Sequence, residues 1–110
     1  MDAHDRSQLV LDWQNRHATL SGDVELLRLG ASVDAELPVQ RTFTSRSHAH
    51  IERRKNDFVL VDHSTNGTFV QTEDEQITFL RRAEMRLWGT GWISLGEPLT
   101  ADAAIRFENV

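Results

Sequence analysis

The chain has 110 residues, of which 39% are hydrophobic and 26% charged, and its formal net charge is −5. A chain of this length builds one small globular domain. Its acidic balance argues against a nucleic-acid binder, because such domains normally present a strongly basic surface. Cysteine is absent, which excludes disulfides and thiolate metal ligands. No segment resembles a membrane span or a secretory signal, so we expect a cytoplasmic domain that contacts neither membranes nor nucleic acids.

Short apolar stretches separated by polar turns run through most of the sequence and predict β-strands. In chain order these stretches are residues 8–13, 17–20, 24–29, 49–54, 58–62, 68–71, 77–80, 92–96 and 104–107. Residues 58–62 are apolar on nearly every side, which is typical of a central strand. The predicted fold is therefore all-β, a two-sheet antiparallel β-sandwich over residues 8–110. Residues 1–7 are polar and are predicted to form a disordered N-terminal tail.

Two segments lack a strand pattern. Residues 30–44 are expected to form an ordered surface loop in which Leu37 or Val39 anchors in the core. Residues 81–86 are also expected to form a loop, with a short helix as the alternative. Loops held by a rigid sheet commonly carry function, so the polar loops are where a binding site is expected.

Two small polar clusters border the predicted strands. Ser45-Arg46-Ser47-His48 precedes the strand that begins at Ala49, and Ser64-Thr65-Asn66-Gly67-Thr68 links two further strands. If these strands pair in a sheet, both clusters can lie on loops at one end of it. Together they supply hydroxyl, guanidinium and amide donors, a set that suits an oxyanion and phosphate above all.

The two clusters resemble the signature of the forkhead-associated (FHA) domain family. The family pattern is Gly-Arg, then Ser-Arg-x-His, then Asn-Gly-Thr, with hydrophobic strands between. Ser45-Arg46-Ser47-His48 matches the second element, and Asn66-Gly67-Thr68, preceded by Asp62-x-Ser64-Thr65, matches the third. The resemblance spans roughly residues 26–107. It implies an FHA-like (SMAD/FHA-type) sandwich that acts in signalling without catalysis, cofactor or metal, by binding a phosphothreonine-containing segment of a partner protein.

The resemblance also implies a role for each matching residue. Four polar residues would contact the phosphorylated segment, the first three at the phosphate and the last at the peptide backbone: Ser45, Arg46, Thr65 and Asn66. His48 would brace the loops, while Gly67 would permit the tight turn and Gly30 would likewise be structural. Phosphothreonine carries about −1.5 to −2 charges and three acceptor oxygens. Hydroxyl and guanidinium donors meet such a group with charge-assisted hydrogen bonds worth roughly 1.5–3 kcal/mol each.

The first element of the family pattern is only half present. Leu29-Gly30-Ala31 stands where the family places Gly-Arg, and Ala31 cannot bind an anion. Without an arginine at position 31, the site would lose one charge-assisted hydrogen bond to the phosphate. This loss would cost roughly 1.5–3 kcal/mol of binding free energy, or about one to two decades in affinity. Either another cation substitutes, with Arg28 and Arg41 as candidates, or the domain binds its partner independently of phosphate as an interaction or regulatory module.

Other classes of function have weaker support. His48 and His50 are two residues apart and could hold zinc with His63, but no acid accompanies them clearly. Asp62, His63 and Ser64 are consecutive, which is poor geometry for a hydrolase relay, and no nucleophile elbow is present. The chain is therefore predicted not to be an enzyme. FHA domains commonly belong to larger proteins, so it is also interpreted as a regulatory domain of a larger enzyme such as a kinase or nucleotide cyclase.

Overall fold

The structure is a computed structural model that describes residues 8–22 and 24–110, so the tail predicted at residues 1–7 lies outside the described residues. Within this part the chain forms eleven strands, and no helix is long and apolar enough to cross a membrane. The strands are β1 (Leu9–Trp13), β2 (Arg16–Leu20), β3 (Leu26–Gly30), β4 (Leu37–Pro38), β5 (Ala49–Arg54), β6 (Asp57–Asp62), β7 (Thr68–Gln71), β8 (Ile77–Leu80), β9 (Glu84–Leu87), β10 (Thr90–Leu95) and β11 (Ile105–Asn109).

The strands are arranged in two sheets that pack face to face. The six-stranded sheet has the order β2-β1-β11-β10-β7-β8, and its neighbouring strands are antiparallel. The five-stranded sheet has the order β4-β3-β5-β6-β9, in which only β4 runs parallel to its neighbour. The prediction of an all-β, two-sheet sandwich is confirmed.

The alternation of apolar residues decides which face of each strand is buried. In β1 three buried residues alternate with two partly exposed ones, as expected for a strand with one face on the core. β6 differs because it lies between β5 and β9, and its residues Phe58, Val59 and Leu60 are all buried. The sequence prediction of a central strand at this position therefore agrees with the sheet order.

Two elements differ from the sequence prediction. The loop predicted over residues 81–86 is wrong, because β9 begins at Glu84 and pairs with β6 along Phe58–Val61. Glu, Met, Arg and Leu are good helix formers, so pairing with a neighbouring strand overrides local propensity here. The predicted loop over residues 30–44 contains β4, which pairs with β3, and both Leu37 and Val39 are buried.

Candidate functional site

The two polar clusters lie on loops at the same end of the sandwich. β5 is antiparallel to β3 and β6, so the residues before β5 lie beside the ends of those two strands. The first cluster therefore lies on the β4–β5 loop (residues 39–48), next to the β6–β7 loop (residues 63–67) that carries the second. Asn66 connects them, because its Nδ2 donates to the Phe43 carbonyl at 3.2 Å.

His48 links the two loops from the inside. Its side chain is fully buried, its Nδ1 accepts the Ser45 N–H at 3.0 Å, and its Nε2 lies 2.8 Å from the Gly67 carbonyl. The Ser45 amide can only donate and the Gly67 carbonyl can only accept, so the ring is neutral with its proton on Nε2. Burial lowers the pKa of His48 below 6.5, which favours the same neutral form.

A buried carboxylate shapes the β6–β7 loop. Asp62 accepts the hydroxyls of Ser64 and Thr68 at 2.7 and 2.6 Å, and the backbone N–H groups of Ser64 and Arg82 at 3.1 and 2.9 Å. Burial alone would raise the pKa of Asp62, but these hydrogen bonds outweigh it and hold the pKa below 3.8. The Ser64 hydroxyl in turn accepts the Gly67 N–H at 2.7 Å, which closes the loop.

Two glycines allow the close approach of the loops. A Cβ on Gly30 would collide with the Arg46 carbonyl, because the β4–β5 loop crosses directly over this residue. Gly67 has a φ of +88°, in the region that favours glycine, and a Cβ there would collide with the ring of Phe79. Both positions therefore require glycine for the loops to adopt this arrangement.

The predicted phosphate ligands are accessible. Ser45 is half-buried, whereas Arg46, Thr65 and Asn66 are exposed. The Arg46 side chain has no hydrogen bond or ion pair within residues 8–22 and 24–110, and it lines a hollow together with Arg28. One guanidinium is thus available to an anion in this hollow, which His63 of the β6–β7 loop also lines but Ser45, Thr65 and Asn66 do not.

Arg28, a candidate substitute for the missing arginine, is held by the β3–β4 loop. Its Nε and Nη2 donate to the two carboxylate oxygens of Glu36 at 3.0 and 2.9 Å, and Nη2 also donates to the Asp34 carbonyl at 2.9 Å. These contacts lower the pKa of Glu36 from 4.5 to about 2. The Glu36 carboxylate therefore neutralises the charge of Arg28.

Arg41, the second candidate, shares a surface hollow with Ala31, the position at which the family arginine is absent. Arg41 and Ala31 line the same surface hollow, together with Phe43 and Glu97. Ala31 itself is tied to the opposite loop, because its N–H donates to the Ser45 carbonyl at 2.9 Å. Arg41 donates from Nε and Nη2 to Glu97 at 2.7 and 3.2 Å, and the Arg41 hydrogen bond lowers the pKa of Glu97. Arg41 is therefore near Ala31 but paired with an acid.

The histidines are divided between two environments. His50 and His63 stack with ring centroids 4.7 Å apart, and His50 Nε2 lies 2.7 Å from Glu52. His48 has both ring nitrogens in use inside the loops. Within the described part of the chain no group of three or more His, Asp or Glu side chains could hold a metal ion. His63 faces His50 while the Ser64 hydroxyl binds Asp62, so these residues do not form a hydrolase relay.

Sequence reasoning named Asp62 only as part of the third family element and in a disfavoured hydrolase relay, and it assigned no role to Arg82. The signal for Asp62 was present, because an acid two residues before a serine and five before a glycine is a pattern for side-chain capping of a turn. Arg82 gave no such signal. Its backbone N–H binds Asp62 and its Nε binds the Ser64 carbonyl at 3.1 Å, contacts that depend on where β8 ends.

The fold and the paired loops define a family, and sequence comparison agrees. The model of the FHA domain matches residues 27–86, more than half of the chain, so this protein belongs to the FHA domain family. FHA domains are non-catalytic binding modules. Comparison with curated protein sequences gives no significant match.

Solved structures show the same sandwich. The FHA-1 domain of Mycobacterium tuberculosis Rv1747 has a TM-score of 0.74 at 18% identity, over 94% of this chain and 97% of that one. The N-terminal FHA domain of S. cerevisiae Rad53p, solved with a phosphothreonine peptide, has a TM-score of 0.69 at 17% identity, over 94% and 91%. The FhaA FHA domain, solved with the intracellular domain of Rv3910, has a TM-score of 0.65 at 25% identity, over 93% and 99%.

The bridging role of His48 predicts a large loss of stability on its removal. His48→Ala leaves the Ser45 N–H without a partner and opens a buried cavity, so the free energy of unfolding should fall by about 2–4 kcal/mol. Urea denaturation measures this change. His17→Ala is the control, because its side chain is 71% exposed, and it should change stability by about 0.5 kcal/mol or less. Equal losses in the two variants would contradict the bridging role.

Stability should also depend on pH through His48. Its pKa in the folded protein lies below 6.5, so the unfolded chain binds more protons once the pH falls below about 6.5. The stabilisation is fully present above that pH and declines below it, by up to about 1.4 kcal/mol per pH unit. Asp62 contributes in the same direction but only near and below its ordinary pKa of 3.8. Urea denaturation of wild type and His48→Gln between about pH 7.5 and 5 should give the steeper decline in wild type.

Proposed function

We propose that this domain recognises a partner protein by binding a phosphothreonine-containing segment at the contact of its β4–β5 and β6–β7 loops. The observation that carries the proposal is Arg46, an exposed guanidinium with no hydrogen bond or ion pair in the described part of the chain, which follows Ser45 in the β4–β5 loop and lines a hollow with His63 of the β6–β7 loop. Membership of the FHA domain family supports the same function. The structures of Rad53p with a phosphothreonine peptide and of FhaA with a protein partner support a ligand of this type.

The phosphate would be held by Arg46 and by the hydroxyls of Ser45 and Thr65. The backbone of Ser45 is fixed from two sides, since its N–H donates to His48 and its carbonyl accepts from Ala31. Such a site is organised before the ligand arrives, which reduces the entropy cost of binding. Charge-assisted bonds from a guanidinium and hydroxyls to the phosphate are worth roughly 1.5–3 kcal/mol each.

Asn66 would hold the backbone of the segment. One N–H of its side chain donates to Phe43, which orients the amide at the surface. The side-chain oxygen and the second N–H then offer an acceptor and a donor to an extended peptide. This contact does not depend on the phosphate, so it supplies affinity for the chain on either side of the phosphothreonine.

A phosphate-independent interaction is the second candidate function, and Ala31 is the observation that favours it. Both candidate replacements, Arg28 and Arg41, are paired with carboxylates, and Glu97 places a negative charge in the hollow beside Ala31. A domain with one free arginine should bind phosphate less tightly than one with two. We further propose that the domain works in the cytoplasm as one module of a larger regulatory protein.

Replacing Ser45 tests phosphate recognition. Phosphothreonine peptides from a library should bind wild type more tightly than their unphosphorylated counterparts, measured by fluorescence anisotropy. Ser45→Ala should weaken binding of the phosphorylated peptides about 10- to 100-fold, which is the loss of one charge-assisted bond. It should leave the unphosphorylated peptides unaffected.

Thr19→Ala, on the exposed β2 strand at the far edge of the six-stranded sheet, is the matched control and should bind like wild type. If wild type bound phosphorylated and unphosphorylated peptides with equal affinity, the phosphate-independent function would be the correct one. Loss of all binding in Ser45→Ala with an altered circular dichroism spectrum would instead indicate that the loop had been disrupted.

Two matched substitutions test whether Arg41 can replace the missing arginine. Glu97→Gln releases Arg41 and Glu36→Gln releases Arg28, and each removes one carboxylate partner of one arginine. Since only Arg41 lines the hollow with Ala31, Glu97→Gln should tighten phosphopeptide binding by about 10-fold or more, whereas Glu36→Gln should change it little. Isothermal titration calorimetry with one phosphothreonine peptide measures both. A gain in Glu36→Gln alone would assign the role to Arg28.

A further inference from the structure

The outer edge of β8 is open for pairing. β8 is the last strand of the six-stranded sheet, and no described strand pairs with its far side. Thr72 N donates to Gln76 O, so in the β7–β8 ladder the hydrogen-bonded positions of β8 are Thr78 and Leu80. Ile77 and Phe79 therefore direct their backbone N–H and C=O groups outwards, where they can pair with another strand.

β8 differs from the other edge strands in its side chains. β2 begins with Arg16 and His17, and β9 carries Glu84 and Arg86. β4 has only two residues, the second of which is Pro38. Charges, proline and short length are the devices that keep sheet edges from pairing. β8 reads Ile-Thr-Phe-Leu, with Ile77 59% exposed and Phe79 51% exposed. Among the described edges it alone combines free backbone groups with uncharged residues of high β-propensity.

We propose that β8 pairs with β8 of a second copy of this chain, antiparallel and with Thr78 on the twofold axis. In this register Ile77 lies opposite Phe79 of the second copy, and the same pair recurs by symmetry. These are the two residues whose backbone groups point outwards, so each pair forms two hydrogen bonds. Their side chains share the outer face of the sheet, where Phe79 already contacts Phe69 with ring centroids 4.9 Å apart. Pairing would therefore join two exposed apolar surfaces into one.

The charges on either side of β8 favour this register. Glu75 lies in the β7–β8 turn, three residues before Thr78, and Arg81 follows the end of β8, three residues after Thr78, so this register brings the acidic end of one β8 to the basic end of the other. The contact is isologous and occurs twice. Both residues are exposed, and neither side chain has an ion pair within residues 8–22 and 24–110. Each copy thus presents an acid and a base at the two ends of β8, neither in an ion pair within the described residues.

Shifted registers fit less well. Moving the second copy by two residues in one direction places Arg81 opposite Ile77, and moving it in the other direction places Glu75 opposite Phe79. In the second case Arg81 would face Glu73, but Glu73 already accepts the Thr90 N–H at 3.3 Å. Only the register centred on Thr78 matches apolar residues with apolar residues and unpaired charges with opposite charges.

This surface is separate from the phosphate ligands, and pairing does not require a phosphorylated partner. It adjoins the β6–β7 loop, because the Phe79 ring fills the space that a side chain at Gly67 would occupy. A dimer formed through β8 would present two recognition sites, so a partner with two phosphothreonines would gain affinity from the second contact.

Disulfide trapping tests the register directly, since the chain has no native cysteine. In the proposed register Thr78 faces Thr78 of the second copy as a non-hydrogen-bonded pair, with Cα atoms about 4.5 Å apart, which is within disulfide range. Thr78→Cys should form a covalent dimer under mild oxidation, seen on a non-reducing gel. Thr19→Cys, exposed on the opposite edge strand β2, is the control and should remain largely monomeric. Equal trapping in the two variants would overturn the proposal.

Charge reversal provides a second measurement that does not alter the strand. Sedimentation equilibrium of the wild-type chain over the micromolar to millimolar range should show a monomer–dimer equilibrium. Arg81→Glu should weaken the dimer at least about 10-fold, because two ion pairs become two repulsive contacts. The double variant Glu75→Arg with Arg81→Glu should restore it. A monomeric wild-type protein throughout the range, or a double variant no better than Arg81→Glu, would overturn the proposal.

Discussion

The arrangement of the β4–β5 and β6–β7 loops depends on two hydrogen bonds made by the buried imidazole of His48. The ring joins a loop that leads into β5, in one sheet, to a loop that leads into β7, in the other. The two loops are also tied by the Asn66 side chain, which donates to the Phe43 carbonyl at 3.2 Å, and by the His63 N–H, which donates to the His48 carbonyl at 2.9 Å. A neutral ring can accept from the Ser45 N–H and donate to the Gly67 carbonyl at the same time. A protonated ring would have no acceptor for the Ser45 N–H.

Three arginines of the domain are neutralised by ion pairs with nearby acids. Arg28 pairs with Glu36, Arg41 with Glu97, and Arg54 with both Glu52 and Glu84. In an acidic protein this pairing limits attraction for polyanions in general. Arg46 lacks such a partner within the described residues and lines a hollow between the β3–β4 loop and His63. The proposed recognition of a single anionic group is consistent with this uneven neutralisation.

The central architecture could be predicted from sequence because its signals are local. Phe58 to Leu60 are apolar without interruption, and the two polar clusters stand at strand ends, so both the central strand and the location of the loops followed from the pattern. β9 could not be predicted in this way. Glu84 to Leu87 prefer a helix in isolation and become a strand only because the edge of β6 is free to pair with them.

The candidate site likewise combines features that follow from local sequence with contacts that depend on tertiary structure. The loop residues that match the family pattern could be named, but the acids that neutralise Arg28 and Arg41 could not. Glu97 is 56 residues from Arg41 in the chain, and nothing in either local sequence indicates that they meet. The hydrogen bond from the Arg82 amide to Asp62 depends in the same way on where β8 ends. Contacts of this kind follow from tertiary structure and not from periodicity or spacing.

The backbone hydrogen bond between Ala31 and Ser45 has a consequence for how such a domain evolves. The bond uses only main-chain atoms, so any residue other than proline at position 31 can keep the loops in contact. The side chain at this position can therefore change while this hydrogen bond is kept. Under the proposed function, ligand preference is therefore a trait that single substitutions can alter while the architecture is inherited intact.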